Sequence, residues 1–191
     1  MKVVAFNGSA RAQGNTAILL KLVLDEIRKE GIETELVSLA GKTIPGCSAC
    51  YKCSERADGH CVVDGDIVNE CIDKMRAADG ILLGSPTYFS NVTSGMKALI
   101  ERSGMVARAN NSLFKRKIGA GVVAVRRAGA IHVFSSLNFF FLISQMIVVG
   151  SNYWNIGIGR EPGAVEKDEE GMQTMVTLGQ NMAWLINRIK V

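Results

Sequence analysis

The sequence predicts a single α/β domain over residues 1–191, a three-layer sandwich in which a five-stranded parallel sheet lies between helices on both faces. Three observations lead there. Short apolar runs alternate with longer helical stretches along the chain, as in strands joined by crossover helices. Each apolar run is nearly continuous rather than alternating, which a strand buried on both faces requires. The chain has 191 residues, is 48% hydrophobic and holds only three prolines, which allows one substantial core and argues against disorder.

Taken in order, the first strand runs from Lys2 to Asn7 and the first helix from about Asn15 to Lys29; the turn Glu30-Gly31 then leads to a second strand over about Glu33 to Leu39. A cysteine-rich loop occupies residues 41–64. It is followed by a helix over about Asp66 to Ala78, a third strand at Gly80 to Gly84, a helix over about Val92 to Ser103 and a fourth strand at Ile118 to Val125. After Gly129, a helix over about Ile131 to Gln145 leads to a fifth strand at Met146 to Gly150. The final helix, about Glu169 to Ile189, carries Met172, Met175, Val176, Leu178, Met182 and Leu185 at helical spacing, a stripe that reads as core or dimer packing. Five strands and five helices are the count of a flavodoxin-like fold, with sheet order 2-1-3-4-5. The irregular stretches Gly41 to Asp64 and Gly150 to Asp168 are long for one compact domain, and such loops usually carry function.

The net charge of +4 and pI near 8.9 are mildly basic, but the positive residues are scattered rather than interleaved with aromatics, so nucleic acid is not an expected partner. Met1-Lys2 leads directly into Val3-Val4-Ala5-Phe6, far shorter than a secretory apolar region, so a cytoplasmic protein with reduced thiols is expected. The most membrane-like stretch, Ile131 to Val149, carries His132, Ser135, Ser136, Asn138, Ser144 and Gln145. That polar content predicts a buried helix running into a strand rather than a membrane span.

Three loops at strand ends carry candidate binding residues. The turn Gly8 to Thr16 opens a helix with small residues, hydroxyls and one arginine, which makes an anion site: Gly8 allows a sharp turn, the helix start after Gly14 presents free backbone N–H groups, Ser9, Asn15 and Thr16 add donors to a phosphate, and Arg11 supplies charge. It has neither the Walker A lysine nor the Gly-x-Gly-x-x-Gly spacing, so a monophosphate fits better than a triphosphate or pyrophosphate. The plainer reading is a capped helix. After the third strand come Pro86, Thr87, Tyr88, Phe89, Ser90 and Asn91, with aromatic faces for a flat ring and polar groups for its heteroatoms; alternatively, the aromatics cap the core. Arg126 and Arg127 follow the fourth strand, placed either to stabilise negative charge on a reduced ring or simply to be solvated. His60 and His132 lack an evident carboxylate partner in sequence, and no hydrolytic set can be assembled around them.

Four cysteines, Cys47, Cys50, Cys53 and Cys61, fall within fifteen residues at gaps of two, two and seven. Three crowded on one loop suit three corners of an iron–sulfur cube, and the fourth closes it. Zinc is the main rival, although zinc modules usually set one Cys-x2-Cys knuckle well apart from a second ligand pair; oxidised or free thiols complete the alternatives. Cys71, on a predicted helix, reads as a buried small hydrophobe.

Gly8-Ser9-x-Arg11 with Gly14-Asn15-Thr16, then Gly84-Ser85-Pro86-Thr87-Tyr88-Phe89 leading to Met96-Lys97-Ala98-Leu99-Ile100-Glu101-Arg102, resemble the NADPH-dependent FMN reductase family of the flavodoxin-like superfamily. With the cysteine loop, the chain most resembles its iron-sulfur flavoproteins. The resemblance implies FMN with its phosphate on Ser9, Arg11, Asn15 and Thr16 and its ribityl and ring on Pro86 to Asn91. It also implies a [4Fe-4S] cluster on Cys47, Cys50, Cys53 and Cys61. Further implied are a homodimer or homotetramer in which one subunit's cluster approaches another's flavin, and electron flow between a ferredoxin-like one-electron donor protein and a small acceptor. The chain departs from the family in having Arg126-Arg127-Ala128 where a glycine-rich stretch is common, and in a long gap before Cys61. The alternatives are a cluster-free reductase that uses NAD(P)H to reduce FMN or quinones, and a zinc-stabilised, non-enzymatic binding module.

Overall fold

The computed structural model describes residues 1–189. Among them, β1 (Lys2–Asn7), β2 (Glu33–Ser38), β3 (Gly80–Pro86), β4 (Ile118–Val125), β5 (Ile147–Val148) and β6 (Ile156–Ile158) form one parallel sheet in the order β2-β1-β3-β4-β5, with β6 also paired to β4. The helices are α1 (Asn15–Lys29), α2 (Lys52–Arg56), α3 (Val68–Ala77), α4 (Ser94–Ala109), α5 (Ala130–Ile143) and α6 (Glu169–Ile189). They lie on both faces, as predicted.

Side-chain alternation on each strand explains the continuous apolar runs. Val3 and Ala5 of β1 and Ala120 and Val122 of β4 pack with Leu20 and Ile27 of α1 and Met175 and Met182 of α6. Val4, Phe6 and Val123 point the other way, into Ile72 of α3, Leu99 of α4 and Leu137 of α5. The register sets Asn7 beside both Ser38 and Gly84, and Pro86 beside Ala124. The loops that follow β1, β2, β3 and β4 therefore leave the sheet along its carboxyl edge, where ligands of open parallel sheets bind.

Several boundaries differ from expectation. The fifth sheet position is filled in two pieces, because β5 pairs with β4 only at Ile118 and Gly119 while β6 pairs at Val123 to Val125. Between them Asn155, 1% exposed, donates from Nδ2 to Gly121 O at 3.0 Å and accepts at its carbonyl from Val123 N at 2.9 Å. The predicted Met146 to Gly150 strand is thus cut to two residues, and β6 is an addition. Helix α4 starts at Ser94 rather than Val92, since Thr93 takes the N-cap and accepts from Met96 N at 3.3 Å; it runs six residues past Ser103, to Ala109. Helix α3 starts at Val68 rather than Asp66, whose Oδ1 accepts from Val68 N at 2.9 Å. Helix α2, inside the cysteine loop, has no counterpart in the sequence reading. No helix among the described residues is long and apolar enough to cross a membrane.

Candidate functional site

A cleft of ≈ 210 Å³ lies at the carboxyl edge, lined by Ser9, Arg11, Asn15, Thr16, Pro86, Thr87, Tyr88, Arg126 and Arg160, with Ala124, Val125 and Gly159 completing it. Its first wall is the β1–α1 turn. Asn7, fully buried, accepts from Ser9 N at 3.0 Å and donates to Ala12 O at 3.3 Å, and Ser9 Oγ accepts from Arg11 N at 3.1 Å. Gly8 is required there: a Cβ would lie 2.9 Å from Met96 Cβ and 3.1 Å from Gly84 O. Thr93 Oγ1 donates to Gly8 O at 2.7 Å, which ties this turn to the start of α4.

Two hydroxyls in this cleft are buried without a hydrogen-bond partner among the described residues, Thr16 Oγ1 and Thr87 Oγ1; Asn15 Oδ1 is the third such atom. Buried polar groups are almost always paired, so atoms left open at one cleft can receive a ligand's polar groups. Asn15 differs from expectation. Its Nδ2 donates to Gly159 O and Glu161 O, both at 3.0 Å, so it braces the loop that carries Arg160 and leaves only an acceptor oxygen toward the cleft. Gly14 is likewise internal to the turn, its N–H bonded to Arg11 O at 3.1 Å.

The second wall ends in a strained tip. Tyr88 and Asn91 exchange both backbone hydrogen bonds, at 3.0 and 2.9 Å, across Phe89 and Ser90, whose φ values are +49° and +59°. Such a turn favours Asn and Gly, and two other residues in it store strain. The Phe89 ring is held wholly out in solvent. Phe89, Ser90, Asn91 and Arg127 do not line the cleft, whereas Arg126 does. Gly129, at φ +85°, brings the third loop so close against the second that a Cβ there would lie 2.5 Å from Ser90 Oγ. Arg160 escapes a reading of the sequence because a lone arginine in a long loop carries no local signal; only the pairing of β6 with β4 brings it here.

Cys47, Cys50, Cys53 and Cys61 line one pocket together with Arg102 and Met105 of α4. Helix α3, helix α4 and Asn110 at the C-cap of α4 hold three of the four in place. Cys47 N donates to Glu101 Oε2 at 3.4 Å, Asn110 Nδ2 donates to Cys53 O at 3.4 Å, and Asn69 clasps Cys61 by accepting from its N–H at 2.8 Å and donating to its carbonyl at 3.0 Å. Arg102 Nε reaches Cys61 Sγ at 3.4 Å. Around Cys50 the chain alternates, with Ala49 at φ +52° and Tyr51 at φ +58°, a nest-like pattern that turns N–H groups toward an anion. The Lys52 backbone N–H, helped by the Ser48 hydroxyl, holds the Cys50 thiol below its ordinary pKa, while burial pushes Cys53 up. All five cysteines are free thiols. No three His, Cys, Asp or Glu side chains among the described residues converge on a single ion. Cys71 is fully buried and does not line that pocket, and burial pushes its thiol up to about 12. His60 does have a carboxylate partner, Asp73 Oδ1 at 2.9 Å from Nε2, thirteen residues away on α3.

Residues 1–161 match the NADPH-dependent FMN reductase family. The chain belongs to that family. An iron-sulfur flavoprotein of Methanocaldococcus jannaschii is 40% identical to it, with all of both chains covered. One from Methanosarcina thermophila is 34% identical over 100% of this chain and 97% of its own. Among solved structures, a flavodoxin-type WrbA-like protein from Agrobacterium tumefaciens superposes with a TM-score of 0.66 at 14% identity, covering 98% of this chain and 97% of the other. That likeness shows the flavodoxin-like fold. The family and its flavoprotein members support an FMN-dependent oxidoreductase, with FMN as cofactor.

Proposed function

We propose that this chain is an iron-sulfur flavoprotein that carries electrons between a one-electron donor protein, ferredoxin-like in kind, and a small acceptor, using FMN in the cleft and a [4Fe-4S] cluster on Cys47, Cys50, Cys53 and Cys61. One observation carries it: a single loop gathers four free thiols around one pocket, and side chains of Asn69, Glu101 and Asn110 fasten the backbone of three of them. The spacing favours a cluster over zinc, because three cysteines crowd one loop with a fourth close behind, whereas zinc modules usually set one Cys-x2-Cys knuckle well apart from a second ligand pair. The names of the two relatives point the same way.

Flavin accepts one or two electrons, and so joins a one-electron carrier to a two-electron acceptor. The chain's own residues bind and orient it. Thr16 and Thr87 offer unpaired hydroxyls, Ser9 and the free amides of the first turn of α1 offer donors, and Arg11 and Arg160 offer charge for the phosphate. Arg126 places a cation on the wall nearest β4, suited to negative charge at the ring edge. Tyr88, on the opposite loop, offers its aromatic face to a flat ring.

Self-association belongs to the same reading. Helix α5 leaves Ile131, Phe139, Leu142 and Ile143 exposed, and the neighbouring edge adds Ile147, Val148, Tyr153 and Trp154. So much exposed apolar surface marks an interface, which a second copy of the chain would cover.

Anaerobic purification of Cys50→Ala tests the function. Loss of iron and of reduction by ferredoxin, with FMN retained, is expected. Unchanged NAD(P)H-driven turnover would instead establish the cluster-free reductase.

A further inference from the structure

Arg102 is the largest of the fully buried side chains, 1% exposed on a helix face it shares with Leu99 and Val106. Burying a guanidinium costs far more than burying a leucine unless its N–H groups are all engaged. All three of its nitrogens are. Nε donates to Cys61 Sγ at 3.4 Å, Nη1 to Asp66 Oδ2 and to Pro45 O at 3.5 Å, and Nη2 to Val63 O at 2.8 Å. These partners span residues 45 to 66 and so bracket all four cysteines. Asp66, whose side chain is 9% exposed, also accepts from Val68 N, which joins the same group to the start of α3. The core would be filled as well by an apolar side chain; the fork of donors serves the loop.

We propose that Arg102 is the residue that positions Cys61 and sets the potential of the iron–sulfur site. It does so by holding a fixed positive charge and one N–H against the Cys61 sulfur. Hydrogen bonds to cluster sulfurs and local net charge are what tune such potentials, and partners behind a ligand fix its orientation. A cation at this corner favours the more negative, reduced state and so raises the potential. The proposal rests on the reading of the four cysteines as cluster ligands.

The test uses Arg102→Gln and Arg102→Lys in the full chain, reconstituted without oxygen with iron and sulfide, and follows the cluster by electron paramagnetic resonance against applied potential. In Arg102→Gln the ratio of reduced to oxidised cluster at a fixed potential should fall at least about tenfold, roughly 59 mV for one electron. The flavin titration should stay put, and Arg102→Lys should recover part of the shift by restoring the charge. A loaded Arg102→Gln with an unshifted cluster would overturn the proposal, as would an equal shift of the flavin. Hydrogen exchange of the metal-free chains provides a second measurement that needs no cluster. Residues 45–66 should exchange at least about tenfold faster in whichever variant folds, with residues 1–40 unaffected; unchanged exchange would overturn the positioning role. Wild-type protein that takes up no iron would contradict the cluster reading itself, and the exchange result would still decide whether Arg102 orders the loop.

Discussion

Replacing Thr16 by valine should move stability and cofactor affinity in opposite directions. Thr16 is 1% exposed, and its Oγ1 has no partner among the described residues. Its methyl packs on the sheet, close enough that a Cβ on Gly84 would meet Thr16 Cγ2 at 3.0 Å. Valine keeps that methyl and removes only the hydroxyl. In the FMN-free chain the change removes a buried unpaired polar group, whose burial costs roughly 1–3 kcal/mol. At about 1 kcal/mol of gain, a chain of this size should melt roughly 2–4 °C higher. On the proposed reading, this hydroxyl donates to the charged FMN phosphate, a bond worth roughly 1.5–3 kcal/mol. At about 1.4 kcal/mol per decade, its loss should weaken FMN binding roughly 10- to 150-fold. Differential scanning fluorimetry on deflavinated protein and fluorescence titration with FMN give both numbers. A variant that melts lower and binds FMN as tightly as wild type would refute the assignment of this hydroxyl to the phosphate.

The remaining predictions concern charge, thiols and assembly. Glu35 lies 2.8 Å from Lys2 and 2.6 Å from Lys74 at the sheet edge, and the hydrogen bond from Lys2, then that from Lys74, lowers its pKa below the ordinary 4.5. Its stabilising effect is therefore complete above that ordinary value and is lost as pH falls through the lowered folded one. Glu35→Gln should melt below wild type at neutral pH, with the gap closing in acid; a pH-independent gap would contradict the pairing. In metal-free protein, iodoacetamide under mildly alkaline conditions should alkylate Cys47 and Cys50 well before Cys71, whose thiol is pushed up to about 12, and mass spectrometry of the labelled peptides reads the order. Leu142→Glu on the exposed face of α5 should shift the chain toward monomer in analytical ultracentrifugation; an unchanged mass would place the interface elsewhere.

The elements easiest to read are those whose burial is two-sided or strongly periodic. Strand β4 is legible to the residue because all eight of its residues are buried, so its apolar run has no gap. The clustering of the three loops follows from parallel topology, which forces the strands' carboxyl ends together. What stays hidden depends on contacts distant in sequence. Three residues with a central glycine, Ile156-Gly157-Ile158, become a strand only because β4 extends past β5 and leaves its end unpaired. Arg102 and Glu101 sit side by side on a helix with other charges, which in sequence looks like a solvated face; Arg102 instead turns inward to a loop some forty residues earlier in the chain. The sequence suggests that Asn15 donates to a phosphate, but the carbonyls of Gly159 and Glu161 that claim its amide lie nearly 150 residues away.

The most direct measurement of the two-centre claim is a visible spectrum combined with iron, acid-labile sulfide and flavin assays on protein purified without oxygen. Two centres per chain predict about four irons, matching sulfide and one FMN. FMN without iron would contradict the cluster and leave an NAD(P)H-dependent flavin or quinone reductase; stoichiometric zinc without flavin would contradict the redox function altogether.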